Sequence, residues 1–288
     1  MPAFMAISGY VAYRPNSSGY DGKTFFSIIY RRFRQLIVPF ILWSILLMLI
    51  KSRLSFNNAI DLLLHPDGGL WFLWVLFIIN VFIIFGIWVA ERIQIKEEYL
   101  IVGIGLLLAG LMVVFDIRMF GFQFIAYYYL FYTLGYLLNK HNNHLATKNK
   151  LVIILLTLVW FVLAWFWNMH QLPYFLNSLP LPHSLIQYLY RFVTATIAIY
   201  VLFAASPFLL NKDNIINHPF VSLGTISLGI YTTHFVLIEK IVGLCRSWGL
   251  SDVLIITSSF IIALLISWLI VWLLSKWKIT ARLLLGKI

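Results

Sequence analysis

Long apolar runs separated by short polar connections make up almost the whole chain. Eight of these runs approach or reach the roughly 17–25 mostly apolar residues that a helix needs to cross a bilayer. They cover residues 35–50, 68–90, 99–115, 119–139, 151–168, 190–211, 219–239 and 253–275. A ninth apolar stretch, residues 1–13, is too short to span alone. The pattern predicts an all-α fold, a polytopic transmembrane helix bundle with eight full spans and a partial N-terminal one.

Composition excludes the other broad classes of protein. Hydrophobic residues make up 62% of the 288 positions and charged residues 11%, against about 45–50% and 25% in soluble proteins. A water-soluble fold cannot bury so large an apolar share, and a membrane β-barrel would show alternating strands instead of long runs. The single cysteine, Cys245, permits no disulfide within the chain. We expect one membrane domain over residues 1–288.

The net charge of +11 is best explained by orientation in a membrane. In a soluble protein such a charge would suggest nucleic acid, but here the basic residues lie between apolar runs. We therefore expect membrane lipids as partners and no nucleic acid. If the chain changes sides at each run, one set of connections holds fifteen Lys and Arg residues and the other set holds five. The fifteen lie in residues 14–34, 91–98, 140–150, 212–218 and 276–288.

The positive-inside rule places the richer set of connections in the cytoplasm. The sequence thus predicts a multi-pass protein of the cell membrane with a cytoplasmic C-terminus. The same alternation puts residue 1 on the far side of the membrane, inside an apolar stretch. We interpret this as a sign that the chain starts one helix short.

Two arginines at the start of the run 35–50 form the first candidate site. Arg31 and Arg34 are three residues apart and share a face of a helix, whereas Arg32 points elsewhere. Two guanidinium groups on one face can grip a phosphate bidentately. The alternative is that all three arginines only anchor the helix to anionic lipid headgroups.

A polar stripe in the run 219–239 forms the second candidate site. Ser227, Tyr231 and His234 fall within roughly a 60° arc of one helix face, at about 100° per residue. Histidine is the natural proton carrier near neutral pH, so the stripe suits one wall of a catalytic site. Hydrogen bonding between helices without chemistry explains the stripe equally well.

Trp71, at the start of the run 68–90, is the third candidate. Tryptophan at the end of a span is typical of an interfacial aromatic belt, and the alternative is that Trp71 borders a substrate pocket. Upstream, Asp61, His65 and Asp67 form a weak acid–base group without the spacing of metal ligands. We therefore predict no metal site.

Four segments in order along the chain resemble the acyltransferase-3 family of integral membrane acyltransferases. They are residues 2–10 (PAFMAISGY), 30–34 with 39–43 (YRRFR and PFILW), 69–73 (GLWFL) and 223–234 (LGTISLGIYTTH). Members of that family move an acyl group, often acetyl, from a cytoplasmic acyl-CoA to a hydroxyl of a glycan or another envelope acceptor. The resemblance implies that Arg31 and Arg34, which match its R-x-x-R motif, serve the donor.

One departure from the family pattern concerns catalysis. The family's best-attested catalytic motif, an arginine and a histidine, lies in a first helix that would precede Phe4. No residue of this chain can inherit that role by position. Three explanations stay open: the true start lies upstream, the chain is a degenerate member of the family, or His234 or another group substitutes.

The favoured hypothesis is a membrane O-acyltransferase with acyl-CoA, in particular acetyl-CoA, as donor substrate and no permanently bound cofactor. The acceptor would be a surface polysaccharide or a lipid-linked glycan. The first alternative is an exporter of polysaccharide or lipid-linked sugar, whose 11 Trp and 15 Tyr could stack sugars; the second is an inactive family member that scaffolds other enzymes. A homo-oligomer is compatible with each. The residues assigned to the chemistry are His234, Tyr231 and Ser227 as catalytic groups, Arg31 and Arg34 at the donor, and Trp71 in the substrate pocket.

Overall fold

The structure is a computed structural model. It describes residues 1–13, 22–50, 70–115, 119–141, 149–168, 171–209, 217–249 and 251–286, together with residues 55, 57, 64, 66 and 117. Side chains are described for all of these except residues 207–209 and 217–225. The described residues form helices and contain no β-strand, which confirms the predicted all-α class.

Ten α-helices account for most of the described residues. They are α1 (Pro2–Ala12), α2 (Gly22–Ile50), α3 (Trp71–Arg92), α4 (Glu97–Phe115), α5 (Phe122–Lys140), α6 (Lys150–Trp165), α7 (His183–Leu209), α8 (Asn217–Ser247), α9 (Asp252–Ser275) and α10 (Lys278–Leu284). Short 3₁₀ turns, Met119–Gly121 and Tyr174–Leu176, precede α5 and α7.

Every predicted run coincides with a helix, but the count of eight full spans is not confirmed. Among the described helices, six are long and apolar enough to cross a membrane: α2, α3, α4, α7, α8 and α9. Helix α6 has 16 residues and, at 1.5 Å per residue, is shorter than the roughly 30 Å hydrocarbon layer. Helix α5 carries five tyrosines, which lower its hydropathy.

The chain divides into two compact units, each assembled from separate segments. The first unit contains α1, the last turn of α3, and α4, α5, α6 and α7. The second contains α2, the rest of α3, and α8, α9 and α10. All six residues assigned to the chemistry lie in the second unit.

In the first unit, α1 crosses α5 at two glycines. A Cβ atom at Gly9 would overlap the backbone carbonyl of Tyr132, and a Cβ atom at Gly135 would overlap the backbone carbonyl of Ala6. Small residues at helix crossings let backbones approach closely inside a membrane, where dispersion contacts drive association. The amide Nδ2 of Asn139 then donates a 2.6 Å hydrogen bond to the carbonyl of Tyr10.

Charged residues join α4 to the C-terminal end of α5. The Nζ atom of Lys140 lies 2.6 Å from an oxygen of Glu97 and 3.0 Å from one of Glu98. The hydroxyl of Tyr136 donates to the same Glu97 carboxylate at 3.0 Å. The start of α4 and the end of α5 border the connections 91–98 and 140–150, which the charge count assigns to the cytoplasm.

In the second unit, α2 and α3 run antiparallel. Their aromatic side chains meet in three successive pairs: Phe25 with Trp88, Phe33 with Phe77, and Phe40 with Trp74, with ring centroids 5.5, 6.0 and 6.1 Å apart. Helix α8 packs along α9. The face of α9 in this contact is a stripe of buried residues at intervals of four: Ile255, Ser259, Ala263, Ser267 and Val271.

Helix α10 packs against α2, whereas the sequence pattern had assigned residues 276–288 to a basic connection. The indole Nε1 of Trp43 donates a 2.9 Å hydrogen bond to the carbonyl of Leu284. Gly286, with φ +62°, lies so close to the backbone of Gln35 that a Cβ atom there would overlap its carbonyl oxygen. The side chain of Leu285 lies against Gly229 of α8.

Gly286→Ala is expected to release this C-terminal segment from α2, because the added methyl group both strains a left-handed backbone and displaces Gln35. Gly249→Ala is the matched control, since Gly249 has φ +68° but nothing within 4 Å of a Cβ atom. Maleimide labelling of a Leu285→Cys reporter measures the release: Leu285 is 5% exposed, so labelling rises only in the Gly286→Ala background. Equal labelling in both glycine variants would contradict the close contact.

Candidate active site

The two faces of α8 have different partners. Gly229 lies close to Val271 of α9, and the buried hydroxyls of Thr232 and Thr233 both donate to the Gly229 carbonyl, at 2.9 and 2.8 Å. At about 100° per residue, Ser227, Tyr231 and His234 lie on the opposite face. The polar stripe predicted from the sequence is therefore not used to pack α8 on α9.

Tyr231 meets the first turn of α3. The backbone N–H of Phe72 donates to the Tyr231 hydroxyl at 3.4 Å, and the two rings lie edge to face with centroids 5.4 Å apart. The first amides of a helix lack partners within the helix, so Tyr231 satisfies one of them. This contact fixes the phenol oxygen at the N-terminus of α3.

His234 lies beside Tyr231, with ring centroids 5.7 Å apart. Its Nδ1 lies 2.9 Å from the backbone carbonyl of Ile230. A carbonyl only accepts hydrogen bonds, so Nδ1 carries the proton and the neutral ring keeps its lone pair on Nε2. The imidazole is therefore oriented and presents a nitrogen that can take a proton.

Trp71 joins the same group through Phe72, with ring centroids 6.2 Å apart. The structure thus brings Tyr231 to the start of α3, with His234 beside it and Trp71 next to Phe72. Ser227 is half-buried one helical turn before Tyr231 on the same face. Gly69 and the upstream Asp61, His65 and Asp67 lie outside the described residues.

Arg31 and Arg34 lie well inside a helix, because α2 begins at Gly22, before the apolar run itself. Both are half-buried and share a face. The guanidinium of Arg34 lies over the ring of Tyr30, 5.9 Å from its centroid, whereas Arg32 donates to the side chain of Gln35 at 3.3 Å. Arg34 and Arg32 therefore have different partners.

The structure does not bring the arginines to the polar stripe. Phe40 of α2 lies level with Trp74, close to the start of α3, and Arg34 and Arg31 precede Phe40 by six and nine residues. At 1.5 Å per residue the two groups are about 10–15 Å apart along the helix axis. They lie at different levels of the second unit.

A comparison with known families identifies the chain. The family model acyltransferase-3, described as an acyltransferase domain, matches residues 1–272. This chain belongs to the acyltransferase-3 family. The match includes Arg31, Arg34 and the stripe on α8, whereas α10 lies beyond its end.

One curated relative of this acyltransferase-3 chain is the nodulation protein NolL of Mesorhizobium japonicum. The two are 25% identical over an alignment of 201 residues, which covers 64% of this chain and 48% of NolL. The chain therefore matches about half the length of that relative. No solved structure matches the chain.

Sequence reasoning missed two features of this family member. Phe72 was part of a motif, but nothing in the sequence showed that its amide meets Tyr231. The contact of Leu285 with Gly229 of α8 was also missed, because residues 276–288 carry four Lys and Arg residues and resemble an ordinary connection.

Proposed function

We propose that this acyltransferase-3 chain transfers an acetyl group from acetyl-CoA to a hydroxyl of a cell-surface polysaccharide or a lipid-linked glycan. Membership of the family supports acyl transfer. The single observation that carries the proposal is the orientation of His234. Its Nδ1–H donates to the carbonyl of Ile230, which leaves the lone pair of Nε2 available to act as a general base.

The proposed donor site is the arginine pair of α2. Coenzyme A is polyanionic, and two guanidinium groups on one helix face suit its phosphates. Its long pantetheine arm carries the thioester well away from those phosphates. The separation of about 10–15 Å between the arginines and the stripe therefore fits a donor that lies along α2.

In the proposed reaction, Nε2 of His234 takes the proton of the acceptor hydroxyl. The hydroxyl oxygen attacks the thioester carbon, the new C–O bond forms, and the C–S bond then breaks. The proton passes from the imidazolium to the leaving thiolate and gives free coenzyme A and the ester. The tetrahedral oxyanion needs hydrogen-bond donors; the hydroxyl groups of Tyr231, which accepts from Phe72, and of Ser227 are the donors we assign.

The double variant Arg31→Gln/Arg34→Gln tests the donor site. Because a hydrogen bond to a charged group is worth about 1.5–3 kcal/mol, the KM for acetyl-CoA should rise by about 10–100-fold while kcat changes less. The assay follows label from radioactive acetyl-CoA into glycan in membranes that contain the full chain.

Arg246→Gln is the control for this variant. It removes an exposed arginine that the charge pattern places on the opposite side of the membrane. An unchanged KM in the double variant would make the arginines headgroup anchors. Transport of glycan without consumption of acetyl-CoA would instead support an exporter.

A further inference from the structure

The first unit contains a cavity that the proposed chemistry does not use. Its volume is about 670 Å³, within the range of about 300–1,000 Å³ usual for small-molecule sites. The first turns of α5, the last turns of α6 and the first half of α7 line it. The opposite ends of α5 and α6 carry Lys140 and Lys150, so the predicted orientation places the cavity on the non-cytoplasmic side.

Aromatic rings form much of the cavity wall. The ring of Tyr127 meets those of Tyr128 and Tyr188, with centroids 5.0 and 5.2 Å apart, and Trp160 and Trp167 line the wall from the side of α6. The hydroxyl of Tyr190 donates to the carbonyl of Leu163 and holds α7 against α6 beside the cavity. Flat aromatic faces of this kind suit the C–H faces of a sugar ring.

Polar groups between the rings distinguish this cavity from a lipid pocket. Gln123, Gln187 and Ser184 line it, and their amide and hydroxyl groups both donate and accept, as sugar hydroxyls do. The buried hydroxyl of Tyr188 has no hydrogen-bond partner among the described residues, although buried hydroxyls normally have one. An acyl chain would satisfy none of these groups.

Arg191 gives the wall its charge. It is the one Asp, Glu, Lys or Arg residue of the span His183–Ser206 and is near enough to Tyr127 and Tyr128 to interact electrostatically with both phenols. None of the other described lining residues is acidic or basic. An ionisable side chain at membrane depth is costly, and where it lines a cavity it marks a binding or transport site.

We propose that this cavity binds a sugar unit that carries an anionic group, a carboxylate or a phosphate, which pairs with the guanidinium of Arg191. The planar guanidinium matches either anion bidentately, while the aromatic walls hold the sugar ring. The assignment of this sugar as part of the acetyl acceptor rests on the proposed function. The binding itself does not.

Calorimetric titration of the full chain in lipid nanodiscs, without acyl donor, tests the binding. The probes are a trisaccharide of glucuronate, 6-phosphomaltotriose and neutral maltotriose. An acidic trisaccharide should bind at least about tenfold more tightly than maltotriose, and Arg191→Gln should abolish that preference. Which acidic probe binds more tightly identifies the anion.

Pairs of variants on the same helix, one inside the cavity and one outside it, distinguish loss of sugar binding from general loss of structure. Trp160→Leu should weaken all binding several-fold, whereas Trp165→Leu on the same helix should not, since Trp165 is 86% exposed and does not line the cavity. Lys150→Gln should keep the preference for acid. Absence of binding to the native chain, or a preference that survives Arg191→Gln, would overturn the proposal. Because no acyl-CoA is present in this experiment, such a result would leave the proposed acetyl transfer intact. Conversely, a native chain that binds the acidic sugar but transfers no acetyl group would overturn only the proposed acetyl transfer.

Discussion

His234→Asn lowers the rate of acetyl transfer by about 10²–10⁴-fold, the usual contribution of a positioned general base. Asparagine keeps an N–H near the position of Nδ1, so the hydrogen bond to Ile230 and the fold of α8 are retained while the base is lost. The measurement is the initial rate of label transfer from acetyl-CoA to glycan, with the amount of folded protein determined by gel filtration.

His141→Asn is the control for this experiment. His141 is partly exposed and lies 3.4 Å from Glu98 in the first unit, and its replacement should leave the rate within about twofold, since exposed ion pairs contribute little. If His234→Asn kept more than about a tenth of the native rate, the base would have to be a group other than the histidine of this stripe.

Gly135→Ala should destabilise the first unit by about 3 kcal/mol or more, because the methyl group has no space beside the Ala6 carbonyl and the backbones of α1 and α5 must separate. Gly103→Ala and Gly110→Ala in α4 are controls with open space around the Cβ position, and should be neutral or stabilising by up to about 1 kcal/mol. Unfolding in mixed micelles with increasing dodecyl sulfate gives the difference.

The double variant Gly9→Ala/Gly135→Ala sharpens this test. Both glycines lie at one crossing, so the second substitution should add little once the helices have separated, and the two effects should be far from additive. Gly135→Ala protein as stable as the Gly103→Ala control would show that α1 does not approach α5 closely.

The helices were predictable from the sequence because each apolar run is continuous and each connection polar. The residues at which helices start were less predictable: α2 begins at Gly22 and α7 at His183, ahead of the apolar runs that start at 35 and 190. The reason is that mixed segments such as residues 22–34 can extend a helix beyond its apolar part. The stripe of Ser227, Tyr231 and His234 was predictable because it depends only on spacing within one helix.

Contacts between distant segments were not predictable from one sequence. Periodicity shows which residues share a face but not which helix that face meets, so the bond from Phe72 to Tyr231 and the docking of α10 were both missed. The cavity was missed for the same reason. In the sequence Arg191 is only the second residue of the run 190–211, and the aromatic residues around the cavity come from three helices.

The bond between Trp43 and Leu284 joins residues 241 positions apart, which has a consequence for the timing of assembly. At a synthesis rate of about 5–20 residues per second, α2 enters the membrane about 10–50 s before α10 exists. Throughout that interval the indole of Trp43 lacks the carbonyl of Leu284, and Gly229 lacks the side chain of Leu285. The order of insertion therefore differs from the order of packing, and the helix that carries His234 acquires the contact with Leu285 only after α10 has been made.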